Sequence, residues 1–122
     1  LLPTVRVNYS MPPAHGAALV ETILDSAELT AQWHGELREM RERISGMRQL
    51  LVDKLVANGV ERDFSFITRQ NGMFSFLGID QDQVQRLQQE FSIYMVGSSR
   101  ISVAAIAPHN VDYLAQSIAR VL

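Results

Sequence analysis

Asp25 to Gly59 reads DSAELTAQWHGELREMRERISGMRQLLVDKLVANG, and its apolar residues decide the architecture. Leu29, Trp33, Leu37, Met40, Ile44, Met47, Leu51 and Leu55 follow one another at gaps of three or four, one stripe along an amphipathic helix. Asp25 and Glu28 resemble a capping box, the aspartate accepting backbone N–H bonds and the glutamate reaching back. Asn58-Gly59 supplies a left-handed stop. The opposite face carries Glu36, Arg38, Glu39, Arg41, Glu42, Arg43 and Arg48, several spaced for i,i+3 or i,i+4 pairs, and reads as solvated. Such a helix is about 30 residues and roughly 45 Å long. A compact 122-residue domain is only about 35 Å across. The stripe outruns its own globule, so a partner subunit or further chain is expected to cover it.

Ahead of this helix, residues 1–10 read as extended or irregular, with Ser10 a candidate N-cap before Met11-Pro12-Pro13. Ala14 to Leu24 makes a short apolar helix whose small residues Ala14, Gly16, Ala17 and Ala18 would permit close packing. After Gly59 the period changes. Phe64 to Thr68 and Met73 to Leu77 have strand composition, and Arg69-Gln70-Asn71-Gly72 between them contains the strongest short hairpin signal. Asp80 to Gln83 is a capping-box pattern opening a helix with Val84, Leu87 and Phe91 at helical spacing. Ile93 to Val96 and Ile101 to Ile106 read as strands around the Gly97-Ser98-Ser99 turn, and Pro108 begins a last helix with Val111, Leu114, Ile118 and Val121 inward. From residue 60 the predicted order is β-β-α-β-β-α, a two-layer α+β unit.

Composition narrows the function classes. Forty-seven per cent hydrophobic and 20 per cent charged residues are ordinary for a globular chain, which excludes disorder. Eleven basic against thirteen acidic side chains give a net charge of −2, without the basic excess of a nucleic-acid binder. No apolar run approaches the roughly 20 residues needed to cross a bilayer. The absence of cysteine removes disulfides, thiolate chemistry and cysteine-held zinc, and fits a reducing, cytoplasmic setting. His15, His34 and His109 are scattered without metal-ligand spacing, so no metal is expected. Ten of the basic residues are arginine and only Lys54 is lysine, the single candidate for Schiff-base chemistry; its place late in a charged helix reads as surface. Residue 1 is Leu rather than Met, which points to a piece of a longer chain.

Two arginines stand apart. Arg100 follows the small-residue turn Gly97-Ser98-Ser99 and leads into an apolar strand, where a guanidinium can receive a carboxylate through two parallel hydrogen bonds. An ordinary exposed arginine at a strand end fits the same pattern. Arg6 lies in the N-terminal segment before the Pro-Pro turn.

At these residues the sequence resembles a known family. Arg6-Val7-Asn8-Tyr9-Ser10-Met11-Pro12-Pro13-Ala14-His15-Gly16-Ala17 is similar to the segment R-x-N-Y-S-x-P-P-x-x-G-A of the aspartate/aromatic amino-acid aminotransferases, which are class I, fold-type I pyridoxal-phosphate enzymes. Met47 to Leu50, Arg62 to Ile67, Gln70 to Phe76 and Ser98 to Ala104 match that family in the same order. The resemblance implies the C-terminal third of an enzyme moving an amino group between aspartate or an aromatic amino acid and 2-oxoglutarate. Residues 1–39 would be the end of the large cofactor domain and the first half of a connecting helix, and residues 40–122 the small domain. Small-molecule amino acids and 2-oxo acids are the implied partners, with a homodimer, and neither nucleic acid nor membrane.

Site residues carry over from the resemblance one at a time. Arg100 matches the arginine that clamps the substrate α-carboxylate. Arg6 matches the arginine that reaches into the partner subunit's site and grips a distal carboxylate. Phe74 matches an aromatic lining the substrate pocket, while Phe64, Phe66 and Phe76 also suit a plain core. Ser10, beside Arg6, has a minor supporting role. Many relatives carry Asn, Gly and Asn where Met11, Ser99 and Ser102 stand here, so Ser99 adds a side chain directly before the clamp arginine. The family's Schiff-base lysine and phosphate-holding residues belong upstream; Lys54 does not match that lysine. Pyridoxal phosphate is therefore expected in the intact parent and not on this chain alone, which supplies no catalytic residue. Two other readings stand beside this one: a non-catalytic α+β module that dimerises through the long helix, and a decarboxylase or lyase of the same fold type.

Overall fold

A computed structural model describes residues 2–9 and 13–122. The N-cap expected of Ser10, and its neighbours Met11 and Pro12, lie outside the described residues. The chain divides into two compact units, Leu1–Glu39 and Met40–Leu122.

The first unit is helical. α1 spans Leu2–Tyr9, where an extended segment was expected. Pro3 sits in its first turn, the one place a helix tolerates proline, and the Asn8 side-chain amide donates to the Thr4 carbonyl at 3.0 Å. α2 spans His15–Asp25 and buries no residue. Among the described residues, a methyl built on Gly16 would meet no atom within 4 Å.

α3 runs Ala27–Ala57, close to the span its stripe predicts, and Gly59 takes φ +78° just past its end. The cap differs from expectation. Ser26, not Asp25, is the residue between α2 and α3. Its Oγ accepts from the Leu29 N–H at 3.3 Å, so the Asp25/Glu28 box does not form. The stripe changes character along the helix: Leu29, Trp33, Leu37 and Met40 are exposed, whereas Leu51 and Leu55 are buried. Arg48, expected on the solvated face, is buried too. It falls four residues after Ile44 and seven before Leu55, a spacing that puts it on the inward stripe.

The second unit holds the core. α4 is a single turn, Phe66–Arg69; β1 is Phe74–Phe76; α5 is Gln81–Phe91; β2 is Arg100–Ser102; a 3-10 turn follows at Val103–Ala105; α6 is Val111–Val121. Among the described residues the architecture is helix-dominated with one two-stranded antiparallel sheet, not the β-β-α-β-β-α order. The expected strand at 64–68 is replaced by a turn because Asp63 accepts the Ser65 N–H at 2.7 Å and the Ser65 hydroxyl at 3.0 Å, which starts a helical turn instead. β1 pairs with β2 rather than with that segment. Ile93 to Val96 forms no strand: Ser92 caps α5 at φ 54°. β2 ends at Ser102, not Ile106, where the chain tightens and Arg43 takes the carbonyls of Ala104 and Ile106 at 3.2 and 3.0 Å.

Leu51 and Leu55 of α3, Ile67, Leu77, Leu87 of α5, Val103 and Ile118 of α6 are essentially sealed from solvent. Each contributes about 1.5–3 kcal/mol through burial of its side chain. α5 opens on the expected capping box: Asp80 accepts from the Gln83 N–H at 2.8 Å and the Gln83 side chain accepts from the Asp80 N–H at 3.0 Å. α6 starts at Val111 and not at Pro108, because Asn110 Oδ1 accepts the Ala107 N–H at 2.8 Å and its amide donates to the Ala105 carbonyl at 3.1 Å. This core carries the two-stranded ribbon, and the ribbon carries the candidate site.

Candidate functional site

β1 and β2 pair with Phe74 opposite Ser102, Ser75 opposite Ile101 and Phe76 opposite Arg100. Alternation along a strand sends neighbours to opposite faces. Ser75 and Ile101 therefore point into the core, while Phe74, Phe76 and Arg100 share the outer face. Phe76, which also suited a plain core reading, is 51 % exposed and Phe74 46 %; the core phenylalanine is Phe64, and Phe66 is half-buried.

The Arg100 guanidinium carbon lies 4.8 Å from the centroid of the Phe74 ring, within cation–π range. Among the described residues it forms no ion pair. The side chain is exposed on the outer face of the ribbon, beside the Phe74 ring. A cavity of ≈ 280 Å³ opens next to it, lined by Arg100, Ser102, Met95, Ile106, Tyr113 and Leu114 among others. The lining is mostly apolar, so a carboxylate entering there would find Arg100 as its cation.

The backbone before Arg100 is tightly specified. Ser99 sits at φ +60°, a left-handed conformation that costs a non-glycine residue about 1–2 kcal/mol. Three hydrogen bonds hold it there: Ser99 N–H donates to the Val96 carbonyl at 2.9 Å, Leu77 N–H donates to the Ser99 carbonyl at 3.0 Å, and Gly78 N–H donates to Ser99 Oγ at 3.0 Å. The side chain that a glycine would lack is thus put to use.

Beneath β1 lies a residue the sequence reading put in solvent. Arg48 is 3 % exposed and donates to the carbonyls of Ile67, Gly72 and Phe74 at 3.2, 2.7 and 2.8 Å and to Ser75 Oγ at 3.0 Å. Burial pulls its pKa below the usual arginine value. The signal that could have found it is its position on the apolar stripe; charge alone hid it.

Arg6 is exposed on α1 in the first unit, so the structure brings Phe74 and Arg100 together and leaves Arg6 in a separate unit. Lys54 Nζ is 2.7 Å from Asp112 Oδ1. Among the described residues no cluster of three or more His, Cys, Asp or Glu could hold a metal, and no helix is long and apolar enough to cross a membrane.

The chain is 53 % identical over 118 residues to the aspartate aminotransferase of Salmonella typhi and 52 % identical to that of Escherichia coli, covering 97 % of this chain and 30 % of each relative. Among solved structures it matches an aromatic-amino-acid aminotransferase from Burkholderia pseudomallei covalently bound to pyridoxal phosphate, with a TM-score of 0.94 and 54 % identity, over 97 % of this chain and 30 % of that one. The chain thus spans under a third of the length of these relatives. A model of aminotransferase class I and II matches residues 2–118, and with these identities the chain belongs to the aminotransferase class I and II family.

Proposed function

We propose that this chain is the C-terminal part of a pyridoxal-phosphate-dependent aminotransferase that moves an amino group between aspartate or an aromatic amino acid and 2-oxoglutarate. Residues 1–39 then form the end of the large cofactor-binding domain with the first half of the connecting helix, and residues 40–122 the small domain. The observation that carries the reading is the Arg100 guanidinium: exposed, without an acidic partner among the described residues, and seated 4.8 Å over Phe74.

Amino acids and 2-oxo acids both end in a carboxylate, so one planar cation serves both halves of the exchange. Arg100 binds that group through two parallel N–H···O bonds. The Phe74 ring restrains the plane of the guanidinium, and its apolar surface strengthens the ion pair by excluding water. Arg6, from the partner of a homodimer, receives the distal carboxylate of a dicarboxylic substrate. Pyridoxal phosphate, when bound, supplies the electron sink. The chain's own work is to bind and orient; its single lysine, Lys54, pairs with Asp112. A cytoplasmic setting suits a cysteine-free enzyme of small metabolites.

A second reading, a non-catalytic module associating through α3, is favoured by one observation: Leu29, Trp33, Leu37 and Met40 are exposed on one stripe. The full-length protein, supplied with pyridoxal phosphate, 2-oxoglutarate and either aspartate or tyrosine, separates the two. Glutamate formation from at least one donor is expected. Release of carbon dioxide from the donor in place of transfer, or no turnover of a well-folded dimer, would contradict the proposal.

A further inference from the structure

The outer edge of β1 has no third strand, yet side chains engage three of its backbone polar groups, the Phe74 carbonyl and the Phe76 N–H and carbonyl. Leu77 N–H donates to the Ser99 carbonyl and Val103 N–H to the Met73 carbonyl, so the ladder uses residues 73, 75 and 77 and turns the Phe74 and Phe76 backbone groups to the opposite edge. There Arg48 takes the Phe74 carbonyl at 2.8 Å. Gln70 completes the edge, its Oε1 accepting the Phe76 N–H at 3.1 Å and its amide donating to the Phe76 carbonyl at 3.4 Å. Ser75 links the two, accepting from Arg48 at 3.0 Å and donating to Gln70 Oε1.

A guanidinium removed from water without a carboxylate is an expensive way to fill a core position, and an apolar side chain would serve packing alone. What the fork uniquely does is hold carbonyls on both sides of the Gly72 turn, where φ is +83°, and fix the residue that follows. Ile67 and Gly72 anchor the approach, and Phe74 is the end of that path. The Phe74 ring in turn lies under Arg100.

We propose that Arg48 is a positioning residue for the carboxylate site: by gripping the carbonyls of Gly72 and Phe74 it sets the Phe74 ring against the Arg100 guanidinium. The proposal rests on the reading of Arg100 as the substrate clamp. Arg48 touches no substrate; it acts through Phe74.

The test is a double-mutant cycle in the full-length holoenzyme, with Arg48→Lys, Phe74→Ala and the pair together. The readouts are the KM for aspartate, the inhibition constant of succinate as a carboxylate that binds without turnover, kcat, and the melting temperature. Arg48→Lys keeps a charge but cannot fork. It is expected to raise KM and the succinate constant about five- to tenfold with kcat within about threefold, and to change neither by more than about twofold once Phe74 is alanine. Equal effects in both backgrounds, or a lowered melting temperature and kcat with unchanged succinate binding, would overturn it. Should Arg48→Lys fail to fold, Ser75→Ala removes one of the acceptors and leaves the arginine; it is expected to weaken succinate binding about two- to threefold only while Phe74 is present, and unchanged binding would overturn the proposal. An Arg100→Lys control separates the two levels. If it leaves kcat/KM within tenfold of wild type, the clamp reading itself has failed; if it lowers kcat/KM far more while the cycle is additive, only the role of Arg48 has.

Discussion

The Oγ of Ser99 accepts the backbone N–H of Gly78 at 3.0 Å, which ties the residue before Arg100 to the residue two beyond the end of β1. Ser99 holds this bond while at φ +60°, so strain and hydrogen bond are opposed at one position. Ser99→Gly removes both and is expected to leave stability within about 1 kcal/mol of wild type. Ser99→Ala keeps the strain and loses the part-buried bond from the Gly78 N–H, for a loss of about 0.5–1.5 kcal/mol. Thermal melting of the full-length protein should therefore rank alanine below glycine. The reverse order would mean that the hydroxyl is idle.

Asp63 supplies a pH dependence. The Ser65 N–H and hydroxyl hold its carboxyl below the usual value of 3.8. A folded-state pKa lower than the unfolded one means the capping contribution is complete above about pH 4 and disappears as the pH falls through the folded value. In full-length protein labelled at serine nitrogen, the Ser65 amide should titrate with a midpoint below 3.8, and Asp63→Asn should abolish the transition. A midpoint at or above the ordinary value would show that the turn does not depend on the charged carboxylate.

Arg6, if it works in the partner's site, makes two dead variants complement each other. Arg6→Ala and Arg100→Leu dimers should each lose most aspartate turnover. A mixed dimer holds one site with Arg100 from one chain and Arg6 from the other. Reassortment in equal parts should recover about a quarter of wild-type activity, half the dimers being mixed and half their sites intact. No recovery would place Arg6 in its own subunit's site or nowhere near one. The same Arg6→Ala variant should spare tyrosine turnover relative to aspartate, since tyrosine has no second carboxylate.

Much of this was legible before any coordinates. The stripe from Leu29 to Leu55 announced α3 almost to the residue, and the Asp80/Gln83 box announced α5, because both signals are local and repeat the physics of one helix. Arg100 beside a small-residue turn was legible as a cation at a strand mouth. What stayed hidden depends on partners distant in sequence. Phe64 to Thr68 has strand composition but no strand to join, since β2 occupies the one free edge of β1 and Arg48 and Gln70 occupy the other. Ile101 to Ile106 is cut short by Arg43 from α3. Arg48 was misplaced because charge suggests solvent, and only carbonyls gathered from residues 67, 72 and 74 make its burial tolerable. The outward turn of Phe76 followed from register, which composition does not set.

The central claim is that Arg100 exists to hold a substrate carboxylate. The most direct measurement is kcat/KM for aspartate or tyrosine transfer to 2-oxoglutarate in the full-length enzyme with Arg100→Lys, which preserves charge and removes the paired donors. We predict a loss well beyond tenfold with the fold unchanged. A loss smaller than tenfold, about 1.4 kcal/mol of transition-state stabilisation, would contradict the account.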